Sequence, residues 1–329
     1  MTRDVIAALP KSELHVHLEG SLRPATLRTL ADRHGTPLPP DLAAAYRFGS
    51  FDAFVRLFML GLSLLQDAQD FCDATVALAT ELAGQQVRYA EVTSTAHSHV
   101  TRGVPVEEYV AGLDEGRRRA AALGVELAWV IDIPRSLEAP ESGFTADLLL
   151  SGHAPDGVVG IGLGGPEVGF PPRLYADSFR RAKAAGLLSL PHAGETAGAD
   201  AVWEALDLLG ADRIGHGVRC LEDPRLVDRL AATGTPLEVC ITSNVLLGVA
   251  PSVAEHPLRR LWEAGVRFSV NTDDPGYFST TLVDELALAA DLLGLGAGEI
   301  VGLLEEGFRG SALDESRRAA HLADLRVAD

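Results

Sequence analysis

Glu13-Leu14-His15-Val16-His17-Leu18 is a short apolar alternation that closes on two histidines, and its reading decides the fold. On an extended strand successive side chains alternate between faces, so His15 and His17 project to the same side, where two imidazole nitrogens can meet one ion. The arrangement returns at His192-Ala193-Gly194-Glu195, Gly215-His216-Gly217 and Thr272-Asp273-Asp274. Supporting turns lie at Gly164-Gly165-Pro166-Glu167 and Cys240-Ile241-Thr242-Ser243-Asn244. Chemistry carried at the ends of successive strands is the plan of a parallel β/α barrel, whose site is built at one rim.

Working outward, short apolar runs alternate with Ala/Leu/Arg-rich amphipathic segments, the rhythm of repeated βα units. Eight strands are predicted, at residues 13–18, 87–92, 126–132, 158–163, 187–192, 213–216, 237–241 and 267–273, most with helical periodicity between them. This is the pattern of an α/β TIM (β/α)8 barrel, one domain over residues 1–329. The stretch from about residue 20 to residue 86 is too long for one βα connection and is read as a helical insertion after the first strand. Within it Phe51, Phe54, Val55, Phe58, Met59 and Leu62 form an apolar helical stripe, with Ser50 placed as N-cap. Such a stripe serves ordinary core packing, or it roofs a pocket that follows the first strand.

Lys and Arg number 28 against 46 Asp and Glu, a net charge of −18. An acidic surface repels phosphate backbones, which argues against nucleic acid or an anionic membrane as partner and favours a small neutral or cationic substrate. Cys72, Cys220 and Cys240 have no CxxC spacing and are expected to be buried reduced thiols. The first residues, Met1-Thr2-Arg3-Asp4-Val5, lack the apolar core of a secretory leader, and no apolar run approaches the ~18 residues of a membrane span. A soluble cytoplasmic protein is expected, of an oligomeric state that these residues leave open.

His192 and Asp273 join His15 and His17 as strand-end residues, a three-imidazole, one-carboxylate set suited to one Zn2+ per chain or to another borderline first-row metal. A divalent ion lowers the pKa of its water toward about 7, which supplies a hydroxide nucleophile. The fourth strand ends in Gly162-Leu163-Gly164-Gly165, with no Lys to bridge a second ion. Glu195, three residues beyond His192, is placed to donate a proton from a dry pocket, where a carboxylic acid keeps its proton near neutral pH. His216, between two glycines, is placed to orient the hydroxide, and Asp274 to hydrogen-bond a heterocycle or a leaving amine.

The run Pro10-Lys11-Ser12-Glu13-Leu14-His15-Val16-His17-Leu18-Glu19-Gly20-Ser21 is similar to the opening motif of the adenosine deaminase family, within the amidohydrolase-type metal-dependent barrels. His192-Ala193-Gly194-Glu195, Arg213-Ile214-Gly215-His216-Gly217 and Asn271-Thr272-Asp273-Asp274-Pro275 resemble its later motifs in order and spacing, over nearly the whole chain. The resemblance implies zinc on His15, His17, His192 and Asp273, protonation of purine N1 by Glu195, assistance to the hydroxide from His216, a bond from Asp274 to N7, and the backbone N–H of Gly165 presented to N3. The implied reaction replaces the amino group of a 6-aminopurine by oxygen and releases ammonia. The H-x-E with P-C-x-x-C signature of zinc deaminases of another fold is missing from the sequence.

Three positions depart from the family's adenosine-specific pattern. Glu19 stands where those members usually carry an Asp that binds the ribose 5′-hydroxyl, and adenine-deaminase-like members usually carry Glu. Thr93-Ser94-Thr95-Ala96-His97-Ser98-His99 replaces a Pro-containing turn, and its His-x-His is read as solvent-facing or packed in a loop rather than as a ligand pair. Ile241 replaces a common Pro near Asn244, whose amide is read as facing a substrate edge. The expected substrate is adenosine, with adenine, an N6-substituted adenine and a 5′-altered nucleoside such as aminodeoxyfutalosine as alternatives. A non-catalytic purine-binding relative is the remote reading, and Glu19, Asn244, Gly165, Asp274 and Phe58 are the expected substrate contacts.

Overall fold

Eight apolar runs pair edge to edge in chain order in the computed structural model, which describes residues 2–48, 51–135 and 143–327. They are β1 (Lys11–His17), β2 (Val87–Ser94), β3 (Glu126–Pro134), β4 (Val158–Gly164), β5 (Leu188–Ala193), β6 (Ile214–His216), β7 (Leu237–Val239) and β8 (Phe268–Val270). Every pairing from β1 to β8 is parallel. The ring meets itself at a bridge between Val16 and Asp273, where Asp273 N donates to His15 O at 2.9 Å and His17 N to Asp273 O at 2.8 Å. The fold is the expected TIM barrel.

β7 and β8 are shorter than the sequence suggests. β7 ends at Val239, and Cys240, still extended, is the N-cap of a helix, Ile241–Leu246, so the expected strand end at Ile241 is helical instead. β8 stops at Val270, and Asp273 lies beyond it with φ +64°. A non-glycine residue in that left-handed region carries strain, and such strain gathers at functional sites.

Alternation sorts the walls. Ile133, Ile161 and Leu163 point outward into an apolar cluster with Tyr175 and with Phe179 of the helix Ala176–Ala184. Val130, Asp132, Gly162 and Gly164 occupy the other face, toward the ring's interior.

Between β1 and β2 the chain makes a 3-10 turn (Glu19–Ser21) and the helices Pro24–His34, Leu42–Ala45, Phe51–Ser63 and Ala68–Gly84. The helix Phe51–Ser63 buries Phe54, Leu57 and Leu62, while Val55 and Phe58 are half-buried. Met59 is 41% exposed, so the buried stripe runs through Leu57 rather than the expected Met59. Ser50, the expected N-cap, and the side chain of Phe51 lie outside the described residues. All three cysteines are free and buried. Among the described residues no helix is long and apolar enough to cross a membrane.

Candidate metal centre and active site

β1, β5 and the turn after β8 bring His15, His17, His192 and Asp273 together, with ligand atoms all within 4.8 Å of one another. His17 Nε2 lies 3.2 Å from His192 Nε2 and 3.2 Å from Asp273 Oδ1, and His15 Nε2 lies 3.5 Å from the same oxygen. Ligand atoms bound tetrahedrally at about 2.1 Å stand roughly 3.4 Å apart, so these spacings fit one shared cation. His15 Nε2 is buried without a hydrogen-bond partner, as a nitrogen reserved for an ion would be.

Other side chains hold these four. Glu238 Oε2 accepts from His15 Nδ1 at 2.8 Å, which directs Nε2 toward the cluster. Arg213, itself paired with Glu91, donates to Glu238 Oε1 at 2.5 Å. Burial alone would raise Glu238, but Arg213 and His15 hold its carboxyl down at about 2. Ser243 donates to Asp273 Oδ2 at 2.6 Å, and Glu13 accepts from Thr272 N and Oγ1, both at 3.1 Å. Gly215 has no space for a side chain, since a Cβ there would stand 2.8 Å from His15 Cε1. Glu238, Ser243 and Arg213 were not singled out by sequence, although an acid or an arginine inside a short apolar strand is itself a signal of a buried partner.

Glu195 lies beside the cluster on the segment after β5, ahead of the helix Ala199–Leu208 rather than in its first turn. That segment is clamped by Glu167, whose carboxylate accepts from Gly194 N at 2.8 Å, Glu195 N at 2.7 Å and Thr196 N at 3.0 Å. Burial, reinforced by the charges of Asp273 and Glu167, pushes the Glu195 carboxyl up to about 8. Asp274 is also buried, with Oδ1 lacking a hydrogen-bond partner, and burial together with Asp273 raises it to about 8. Both carboxyls are thus shifted toward the protonated form, in which an acid can donate a hydrogen bond.

His216 follows in β6 with φ +58°, its Nε2 3.8 Å from Glu195 Oε1 and 3.9 Å from Asp273 Oδ2. A relay fixes its tautomer. Leu258 N donates to His256 Nδ1 at 3.2 Å, so His256 carries its proton on Nε2 and gives it to Asn244 Oδ1 at 3.1 Å. The amide nitrogen of Asn244 then faces His216 Nδ1 at 3.1 Å, leaving the His216 proton on Nε2. Burial keeps this imidazole neutral, with a pKa of about 3. The Asn244 amide, expected to face a substrate edge, thus contacts a histidine at each of its ends.

Glu19, 1% exposed, accepts at one oxygen from Ser94 Oγ at 2.7 Å, His99 Nε2 at 2.9 Å and Thr95 N at 3.0 Å. Burial alone would raise its pKa, and the donors reverse this, leaving it below the ordinary value. His99 is fully buried, and His97 is 8% exposed. The pair is therefore packed rather than solvent-facing, in a short helix rather than a loop, and the helix Ala96–Val100 turns His99 inward onto Glu19. Gly165 has φ +90° and lies directly after β4. Phe58 packs its ring 5.8 Å from those of Phe54 and Tyr277, three residues beyond Asp274.

The family model described as adenosine deaminase matches residues 10–327. An aminodeoxyfutalosine deaminase of Streptomyces avermitilis is 40% identical over 97% of this chain and 91% of its own length. The crystal structure of an adenine deaminase from Arthrobacter aurescens superposes with a TM-score of 0.92 at 35% identity, covering 97% of this chain and 99% of that one. An amidohydrolase from Burkholderia ambifaria with bound Zn superposes with a TM-score of 0.90 at 27% identity, covering 99% and 93%. With the barrel and the gathered His and Asp residues, these matches make the chain a hydrolytic deaminase that belongs to the adenosine deaminase family.

Proposed function

We propose that the chain converts a 6-aminopurine to the 6-oxopurine and ammonia with one zinc ion, and that adenine is the preferred substrate. His15, His17, His192 and Asp273 would hold the ion, which supplies an activated water at neutral pH. His216, through its fixed Nε2–H, would orient the attacking oxygen. Glu195 would donate a proton to N1, and Asp274 would donate to N7, an acceptor that an ionised carboxylate could not bind. Gly165 would offer its N–H to N3, and Phe58 with Tyr277 would cover the bound ring.

The observation that carries the substrate reading is the fixed carboxylate of Glu19. Three donors converge on one of its oxygens, so it cannot swing to follow a ribose 5′-hydroxyl without breaking buried hydrogen bonds. The adenine deaminase among the structural relatives supports the same reading. A nucleoside altered at the 5′ position is the second reading, supported by the relative named aminodeoxyfutalosine deaminase. Ammonia release from adenine, adenosine, 5′-deoxyadenosine and aminodeoxyfutalosine tests both. Adenine should have the highest kcat/KM. A lead for aminodeoxyfutalosine would install the second reading, and a lead for adenosine would discard both while leaving deamination in place.

A further inference from the structure

Asp132 has no part in the chemistry described so far, yet it stands near the C-terminal end of β3, on the inner face of the barrel, and is only 2% exposed. Its Oδ1 is fully buried, and no hydrogen bond from a described residue reaches either carboxyl oxygen. A buried acid without partners is costly, and inside an active site it marks a place where a ligand donates. The neighbouring strand is cut away to make room for it. A Cβ on Gly162 would stand 1.8 Å from Oδ1, and one on Gly164 would stand 2.5 Å from Oδ2.

The position around the ring says which part of a substrate would arrive there. His216, the Asp273-Asp274 pair and Glu195 belong to β6, the turn after β8 and the segment after β5, where the amino-bearing edge of a purine must sit. β3 and β4 lie across the mouth from β7 and β8. The purine edge most remote from C6 carries N3 and N9, so that edge is turned toward Asp132.

We propose that Asp132 is a specificity-determining residue, accepting a hydrogen bond from a neutral donor on the N9 side of the purine: the ring N9–H of the free base or the 2′-hydroxyl of a nucleoside. The proposal rests on the 6-aminopurine reading above. A substrate without that donor leaves the buried carboxyl unsatisfied, which reduces kcat/KM by about 10- to 100-fold.

The test compares two pairs, adenine with 9-methyladenine and adenosine with 2′-deoxyadenosine, in the zinc-loaded wild type, Asp132→Leu and Asp132→Asn. In the wild type the donor-bearing member of at least one pair is favoured by about 10-fold or more, and which pair responds identifies the donor. Leu keeps the bulk without an acceptor, so the preference falls to about twofold, with metal content retained. Asn keeps one acceptor oxygen and restores part of the preference. Equal loss on both members of a pair would assign Asp132 a structural role and overturn the proposal. Should the variants fold poorly, calorimetry of hypoxanthine against 9-methylhypoxanthine and of inosine against 2′-deoxyinosine on the wild type decides, equal affinities within both pairs being the overturning result. Turnover of none of these purines would remove the substrate reading and the Asp132 assignment together, whereas turnover without donor preference would remove the assignment alone.

Discussion

Glu195 and Asp274 are two acids that burial and Asp273 shift toward the protonated form, and the proposed roles of both depend on that proton. The folded pKa of Glu195 is raised, so the donor form prevails below about 8 and is lost as pH rises through that value. A cation beside it favours the ionised form and draws the transition lower. The expected kcat profile therefore falls on its basic side at or below about pH 8. Glu195→Gln cannot give up a proton and should lower kcat by about 10²- to 10⁴-fold with metal content unchanged. A Gln variant that kept near-native turnover, or a profile flat beyond pH 9, would show that the proton comes from elsewhere.

Among the elements after β7, the helix Ile241–Leu246 carries Asn244 and the helix Leu258–Glu263 begins with the amide that bonds His256, and between them they set the His216 proton. Asn244→Leu removes the acceptor for His256 and the donor for His216 at once. The expected result is kcat lower by about 10- to 100-fold with KM and zinc content held, because the lost item is orientation of one donor. Asn244→Asp should move the His216 proton to Nδ1, visible as a change in its ring-nitrogen NMR shifts, and a variant that kept the Nε2–H pattern would sink the relay. The strand ends that carry His15, His17, His192 and His216 could be read from sequence because a chelating or titratable residue after an apolar run is a local signal. Asp132 has the same local form in Val130-Ile131-Asp132-Ile133 but no recurrent motif, and its importance emerges only where the Gly162 and Gly164 spaces meet it. The Glu19–His99 contact spans 80 residues, and periodicity within Ala96–Val100 gives no hint of which way that short helix turns. The placing of Asn244 between two histidines is equally hidden, because His256 lies outside any strand-end pattern.

Across the whole molecule the barrel is unevenly built. β1 to β4 are seven to nine residues long, whereas β6, β7 and β8 have three each. Among the described residues the seam between β8 and β1 has no ladder of strand pairs; it is closed by the Val16–Asp273 bridge with its two backbone hydrogen bonds and by side-chain bonds from Leu14 N to Asn271 and from Thr272 to Glu13. Three of the four expected zinc ligands, His15, His17 and Asp273, flank that seam, and the fourth, His192, reaches it from β5. An ion held by all four would tie the two sides of the ring across this join. Whatever binds the folded chain alone stabilises it in proportion to the logarithm of its excess, about 2.7 kcal/mol at 100 times the dissociation constant. For a chain of this size, at about 2.1 cal/mol/K per residue, that corresponds to a shift of roughly 4 °C. Removing the metal by dialysis against a chelator should lower the unfolding midpoint by that amount, and zinc should restore it. Hydrogen exchange should speed up selectively at the amides of His17 and Asp273, which make the seam, more than in β3 and β4. If exchange accelerates evenly around the ring, or the midpoint stays put while activity disappears, then hydrogen bonds alone close the barrel and the ion serves only the chemistry.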